Sequence, residues 1–161
     1  MSPDAFGAFC YFRKKAIKKY TLHKGERLKK RKVIEHLFKG GTSFNVYPFR
    51  IYYHLNKDVN AANELTDKGE GTKEPLLQFG VGVSKKYFKK AVDRNRIKRL
   101  TREVYRLQKL PLQEILVAKK KIHLQVFFIF TGKEMPNFEI VKQKVYTALQ
   151  RLEQQVNSIE C

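Results

Sequence analysis

The residues most able to do chemistry form one basic block between Lys85 and Lys109, where only Asp93 and Glu103 are acidic. A planar guanidinium fork matches two phosphate oxygens and is weakly hydrated, so arginine is well suited to phosphate recognition. A helix face that is merely solvated usually mixes charges of both signs, and this block does not. The block therefore indicates a nucleic-acid partner.

Helical spacing divides the same block into two faces. One face is apolar and predicts packing against a core, through Ile97, Leu100, Val104 and Leu107. The other face is polar and basic, with Asn95, Arg99, Arg102 and Arg106. A helix that begins near Ala91 can thus pack on a core and still present arginines to a partner.

Composition supports the same interpretation. The chain has 161 residues, and its 34 basic and 15 acidic residues give a formal net charge of +19. Such a charge requires a polyanion, either a nucleic acid or an anionic membrane surface. No apolar run approaches the ~20 residues of a spanning helix. The apolar stretch Ala5–Phe12 precedes its basic residues, the reverse of a signal peptide, so we expect a cytoplasmic protein without a membrane partner.

Hydrophobic periodicity and the positions of Gly and Pro predict the order of elements. We expect helices over Lys30–Lys39, from about Ala91 onward and over Asn137–Val156. We also expect a turn or short helix over Leu112–Lys121. We expect strands over Phe44–Leu55, where Pro48 marks an irregularity, over Leu76–Ser84 and over His123–Phe130. This order indicates a single α+β domain, an open sheet with helices packed on it.

The strand over Phe44–Leu55 alternates in polarity. One side is apolar, with Phe49, Ile51, Tyr53 and Leu55, and the other carries Arg50, Tyr52 and His54. An open sheet face with a tyrosine and an arginine can stack on unpaired bases, since stacking on flat rings requires no particular base sequence. In the following strand, Gly80 and Gly82 share one face and permit a close approach to it.

Two segments lie outside this pattern. Residues 1–20 form a basic N-terminal arm that we expect to be flexible, and the folded domain covers 21–161. Residues 56–75 are polar and rich in acids, which predicts a long acidic hairpin loop that points away from any polyanion.

Three motifs follow one another along the chain. The first is Arg27-Leu28-Lys29-Lys30 and the second is Phe38-Lys39-Gly40-Gly41-Thr42-Ser43. In the third, a strand ends in Ser84-Lys85-Lys86 and a helix opens with Arg94-Asn95-Arg96-Ile97-Lys98-Arg99. In this order, and over roughly Leu22 to Gln155, the chain resembles the protein subunit of bacterial ribonuclease P. The resemblance implies an αβββαβα fold similar to a domain of ribosomal protein S5, with a left-handed βαβ crossover.

The resemblance also implies a function. In that family a large RNA is the catalyst, and Mg²⁺ is held mainly by that RNA. The protein binds the ribonuclease P RNA and the 5′ leader of precursor tRNA, and cleavage removes the leader. Implied contacts with the catalytic RNA are Lys85, Lys86, Lys90, Arg94, Asn95, Arg96, Lys98, Arg99 and Arg102. Implied leader contacts are Lys30, Ile34, Phe38, Phe49, Arg50 and Tyr52, with Ile34 standing where family members often carry an aromatic residue.

The residues of a protein nuclease are not evident in the sequence. Such an enzyme needs paired carboxylates that hold metals, or a histidine acid–base pair. The carboxylates are scattered, and no ligand spacing joins His23, His36, His54 and His123. We therefore expect no catalytic or metal-binding residue, and an inactive chain when the RNA is absent. Two alternatives are a ribosomal or general RNA-binding protein on the same fold, and a stand-alone nuclease.

Overall fold

The computed structural model describes residues 20–56, 75–119 and 122–159. Its helices are α1 (Arg31–Gly40), α2 (Ala91–Gln108), α3 (Leu110–Ala118) and α4 (Phe138–Asn157). Its strands are β1 (Thr42–Val46), β2 (Phe49–Asn56), β3 (Leu77–Val83) and β4 (His123–Phe130). The expected α+β architecture is confirmed, with α3 as one short helix more than the αβββαβα order. The predictions for residues 1–19 and 57–74 lie outside the described residues.

The four strands form one sheet in the order β1-β2-β4-β3. Strand β2 pairs antiparallel with both β1 and β4, whereas β3 pairs parallel with β4. β4 is therefore central, as its nearly continuous apolar sequence predicts. The parallel pair requires a crossover connection, and α2 and α3 provide it.

Two expectations about the strands are wrong. The segment Phe44–Leu55 is not one strand, because the chain turns at Tyr47 and Pro48 and β1 pairs back on β2, with Val46 opposite Phe49. Proline has no amide proton for a ladder hydrogen bond, so the strand pairing breaks there. The connection between β2 and β3 is not a hairpin loop either, because β4 lies between these two strands.

The main core lies on the inner face of the sheet, the face that carries Phe79 and Phe128. Helix α4 buries its predicted stripe there, through Val141, Val145, Leu149, Leu152 and Val156, and Phe138 packs at its edge. The Tyr105 ring of α2 stacks on the Phe79 ring, with centroids 3.7 Å apart and planes 7° apart. Burial, and after it the Glu26 carboxylate, raises the pKa of Tyr105 well above its ordinary value, so this phenol stays neutral.

The apolar side of α2 differs from the expected set at one position. Ile97 and Val104 are buried and Leu100 is half-buried, but Leu107 is 43 % exposed. Thr101 and Tyr105 complete the buried side instead. The Thr101 hydroxyl donates to the Ile97 carbonyl at 2.9 Å, which satisfies this polar group inside the core.

A smaller core covers part of the outer face, the face that carries Tyr52 and Phe127. Leu28 and two residues of α1, Val33 and Leu37, are buried there. Gly80 makes this possible, because a Cβ atom at that position would lie 2.3 Å from the Phe127 ring. The close approach that the glycine permits is thus made by an aromatic side chain of the neighbouring strand. As a result, α1 and α2 pack on opposite faces of the sheet.

The segment before α1 is tied to both the sheet and α2. The Leu28 amide donates to the Phe79 carbonyl at 2.9 Å, and the Phe79 amide donates to the Glu26 carbonyl at 2.7 Å. Lys109, which is 2 % exposed, forms an ion pair with the Glu26 carboxylate and donates to the Thr21 carbonyl at 2.7 Å. Sequence reasoning missed this buried pair, although position 109 continues the buried side of α2.

Candidate nucleic-acid interface

The basic face of α2 is exposed, as the sequence predicts. Along the helix the exposed side chains are Asn95, Arg96, Arg99 and Arg102, and Lys98 is half-buried. The loop before the helix adds exposed Lys85, Lys86 and Lys90. The structure therefore brings these eight sequence-predicted residues onto one helix and the loop that leads into it.

Arg96 and Arg99 line a groove between α2 and the segment Met135–Phe138, which leads into α4. The groove has a volume of about 770 Å³, and we call it the arginine groove. Its α2 wall also includes the apolar Val92 and the amide of Asn95. Two guanidinium groups beside apolar surface suit a nucleotide, whose phosphate is charged and whose base has a flat apolar face.

Arg94 plays a different part from its neighbours. It is half-buried, and its guanidinium donates to the carbonyls of Phe88 at 2.8 Å and Lys89 at 2.6 Å. These bonds hold the loop before α2 against the first turn of the helix. Arg94 therefore positions the loop of Lys85 and Lys86, and its predicted contact with RNA stays a prediction.

Arg106 does not belong to the basic face that the helical spacing predicts. Its guanidinium forms an ion pair with Glu103 and donates to the Tyr20 carbonyl at 2.7 Å. The hydrogen bond from Arg106 lowers the pKa of Glu103, so the charged carboxylate form is favoured. Both charges are thus engaged within the protein, and Arg106 ties the segment before α1 to α2.

Arg27 is a further cation near the basic face, and sequence reasoning did not assign it to this site. Partial burial, and after it the charge of Arg27, lowers the pKa of Arg102. Arg27 comes close because its own segment runs beside α2, held by the contacts of Tyr20 with Arg106 and of Glu26 with Lys109. Two like charges that approach each other favour an anion between them. The basic motif Arg27-Leu28-Lys29-Lys30 was the feature of the sequence that could have identified Arg27 as part of this site.

A second candidate surface lies where α1 meets the outer face of the sheet. Phe38 is 40 % exposed and contacts two rings edge-on, with centroid distances of 4.8 Å to Tyr52 and 5.3 Å to Phe127. The Arg50 guanidinium carbon lies 5.2 Å from the centre of the Tyr52 ring. We call the surface of Phe38, Arg50, Tyr52 and Phe127 the aromatic cleft.

The structure places most of the residues predicted to contact the leader at or beside the aromatic cleft, and places one of them elsewhere. Lys30, at the start of α1, is exposed, and Ile34 is half-buried beside the small core. Phe49, by contrast, is 1 % exposed on the inner face, where it packs against Phe128 and Phe130. The alternation of β2 puts Phe49 and Tyr52 on opposite faces, so Phe49 cannot line the cleft.

Phe127 was missed, although β4 contained the signal. Because β4 alternates in the same way as β2, the residue between Val126 and Phe128 must face outward. Phe127 lies opposite Tyr52 on β2 and opposite Gly80 on β3. It therefore supports the exposed Phe38 ring and the half-buried Tyr52 ring from the central strand.

Two histidines meet beside the aromatic cleft. The rings of His36 on α1 and His54 on β2 are 5.5 Å apart and nearly perpendicular. Burial and then the nearby His36 lower the pKa of His54, so the neutral form is favoured there. His123, on β4, is buried in the sheet.

Three carboxylates near the two surfaces are paired with cations. Glu26 pairs with Lys109, Glu35 with Arg31 and Glu103 with Arg106. Over residues 20–56, 75–119 and 122–159, no group of three or more His, Cys, Asp or Glu side chains could hold a metal ion. The same ranges contain no helix with the length and apolar character needed to cross a bilayer.

Comparisons with known proteins agree on one family. The family model of ribonuclease P matches residues 22–153. The ribonuclease P protein component of Porphyromonas gingivalis is 35 % identical over 133 residues, which cover 83 % of this chain and 87 % of that protein. The corresponding protein of Chlorobium phaeobacteroides is 33 % identical over 132 residues, which cover 78 % and 83 %.

Solved structures share the fold. The ribonuclease P protein of Thermotoga maritima matches with a TM-score of 0.53 at 24 % identity, over 78 % of this chain and 96 % of that one. The protein of Staphylococcus aureus matches with a TM-score of 0.52 at 22 % identity, over 79 % and 94 %.

Proposed function

Because this chain belongs to the ribonuclease P protein family, we propose that it acts through two RNA surfaces, one for each RNA of the reaction. The family supplies the protein component of a ribonucleoprotein endoribonuclease that matures tRNA 5′ ends. The basic face of α2 binds the catalytic RNA in this proposal. The aromatic cleft binds the 5′ leader of precursor tRNA.

The observation that carries the first assignment is the arginine groove. Arg96 and Arg99 stand beside a cavity large enough for a nucleotide, on a helix whose other side is buried in the core. The fold therefore fixes the backbone of the two arginines before any RNA arrives. Cations on an ordered helix lose less backbone entropy on binding than cations on a flexible arm.

The aromatic cleft fits a single-stranded leader. The exposed Phe38 ring and the half-buried Tyr52 ring offer stacking at ~1–3 kcal/mol per base, and this stacking tolerates any base sequence. Arg50 adds a cation beside the Tyr52 ring, where a backbone phosphate can pair with it. Lys30 at the start of α1 adds a second cation on the same face of the sheet.

We assign the chemical step to the RNA. The carboxylates of Glu26, Glu35 and Glu103 are held in ion pairs, which leaves them poorly placed to hold Mg²⁺. In this proposal Mg²⁺ is held mainly by the catalytic RNA, the chain alone is inactive, and the protein acts in the cytoplasm. The protein contributes by cancelling phosphate repulsion and positioning the substrate.

A cleavage assay tests the proposed function directly. The 5′-end cleavage of a precursor tRNA would be measured at low Mg²⁺ and moderate salt, with the catalytic RNA alone, the protein alone and the mixture. Only the mixture should cleave efficiently. Cleavage by the protein alone would reveal an active site in the chain. No gain in the mixture would favour a general RNA-binding role on this fold.

Tyr52→Ala should weaken precursor-tRNA binding by the assembled enzyme about 5- to 100-fold, because one stacking platform is lost. Tyr52→Phe keeps the ring and should bind almost as the parent does. The affinity would be measured for a precursor with its leader and for a leaderless tRNA. We expect the loss for the first RNA only, with catalytic-RNA binding unchanged. An equal loss for both tRNAs would contradict the assignment of the cleft.

A further inference from the structure

An exposed tyrosine stands at the turn between β1 and β2. Tyr47 is 72 % exposed, whereas its neighbours Val46 and Pro48 are buried. The turn is anchored to the end of β4, because the amide and hydroxyl of Thr131 donate to the Pro48 carbonyl at 2.9 and 3.1 Å. The ring of Tyr47 is therefore held out from the protein by a fixed stretch of backbone.

Tyr47 lines a groove of about 510 Å³, which we call the turn groove. Tyr47 and Pro48 form one side of it, and Ile140 and Lys144 of α4 form the other. The chain packs tightly at Gly132, where a Cβ atom would lie 2.7 Å from the Phe130 ring. The groove thus combines the apolar Pro48 and Ile140 with polar side chains and the exposed ring of Tyr47.

The turn groove is continuous with the arginine groove. Met135 and Pro136 line both cavities, so they form a ridge with Arg96 and Arg99 on one side and Tyr47 on the other. A strand that leaves the arginines can cross this ridge without leaving the protein surface. The two grooves therefore offer one path rather than two separate sites.

The charges around the turn groove suit RNA. Lys133 and Lys144 line it together with a single acid, Glu134. An exposed aromatic ring with flanking cations matches a single-stranded nucleic acid, whose bases stack on the ring while its phosphates meet the cations. A second protein copy with the same net charge of +19 would be repelled from such a surface.

We infer that the turn groove binds an unpaired nucleotide of the catalytic RNA, whose base stacks on Tyr47 while its phosphates contact Lys133 and Lys144. This inference rests on the proposed function, because it extends the path of the RNA that the arginine groove binds. It adds a third RNA contact at a place that neither the basic face of α2 nor the aromatic cleft includes.

Equilibrium binding of the catalytic RNA to the full chain tests the inference. Tyr47→Ala should weaken binding about 5- to 100-fold, and Tyr47→Phe should keep most of it, because the ring and not the hydroxyl does the stacking. Tyr146→Ala is the matched control, since Tyr146 is also exposed, at 53 %, but lies outside the turn groove. The double variant Lys133→Gln with Lys144→Gln loses two phosphate contacts. The slope of log K against the logarithm of the salt concentration should therefore become less steep by about 1.5.

The outcomes separate this inference from the function on which it rests. No binding by the parent protein would overturn both. Normal binding by the parent together with equal effects of Tyr47→Ala and Tyr146→Ala would overturn the turn groove alone. So would a loss confined to precursor tRNA, or a change in self-association by sedimentation without a change in RNA affinity.

Discussion

Replacing both Arg96 and Arg99 with alanine is expected to weaken catalytic-RNA binding by roughly 100-fold at low salt, since a hydrogen bond to a charged group contributes about 1.5–3 kcal/mol. Both side chains line the arginine groove from an exposed helix face. Their loss leaves the buried side of α2 untouched, so the fold should remain. Binding would be measured by titration over a range of salt concentrations. The slope of log K against the logarithm of the salt concentration should become less steep by about 1.5.

A matched pair of substitutions separates a specific contact from the general effect of charge. Lys24→Ala with Lys142→Ala removes the same two charges from exposed positions outside the arginine groove, so the formal net charge falls from +19 to +17 in both variants. We expect the control to lose only a small part of the affinity. If both variants lost the same amount, the arginine groove would be merely one part of a diffuse positive surface.

Lys109→Ala should lower the free energy of unfolding by about 3–5 kcal/mol, the cost of breaking a buried ion pair from one side. Lys109 is 2 % exposed, and its ammonium group holds both the Glu26 carboxylate and the Thr21 carbonyl. Without it, a carboxylate of low exposure is left in the protein without its cation. Denaturant-induced unfolding of the protein without RNA measures the change.

A double variant that also replaces Glu26 provides the control. The double variant Lys109→Met with Glu26→Leu removes both charges and fills the space with apolar groups, so it should recover most of the lost stability. A loss below about 1 kcal/mol for Lys109→Ala would mean that water replaces the ammonium group, as it does for exposed pairs. A double variant as unstable as Lys109→Ala would show that an apolar side chain cannot replace the ammonium group, whose hydrogen bond to the Thr21 carbonyl would then hold the segment.

The sequence predicted the elements whose pattern is local. A nearly continuous apolar run identified β4, alternation identified the two faces of β2, and apolar spacing identified α4 and most of α2. The β1–β2 turn was missed because Pro48 was interpreted as an irregularity within one strand, although the apolar positions shift there from Phe44 and Val46 to Phe49 and Ile51. The pairing of β4 between β2 and β3 depends on contacts between distant segments, which no local pattern encodes.

In the candidate site too, the sequence predicted what depends on a local pattern and missed what depends on contacts between distant segments. Exposure of Asn95, Arg99 and Arg102 follows from helical spacing, and the structure confirms it. The partners that remove Arg106 from the basic face come from a distant segment and from Glu103, so helical spacing alone places this arginine wrongly. Phe49 was misplaced because the resemblance was given more weight than the alternation of β2, which already placed this residue inward.

The position of β4 in the middle of the sheet has a consequence for the folding of the protein during its synthesis on the ribosome. The other three strands all emerge before residue 123, yet β3 joins the sheet of β1 and β2 only through β4, which lies between β2 and β3. The second wall of the arginine groove, Met135–Phe138, emerges later still. A nascent or truncated chain thus carries the arginines without the shape that surrounds them. Completion of the fold and the ability to recognise RNA by shape therefore arrive together, once β4 and the segment Met135–Phe138 have been synthesised.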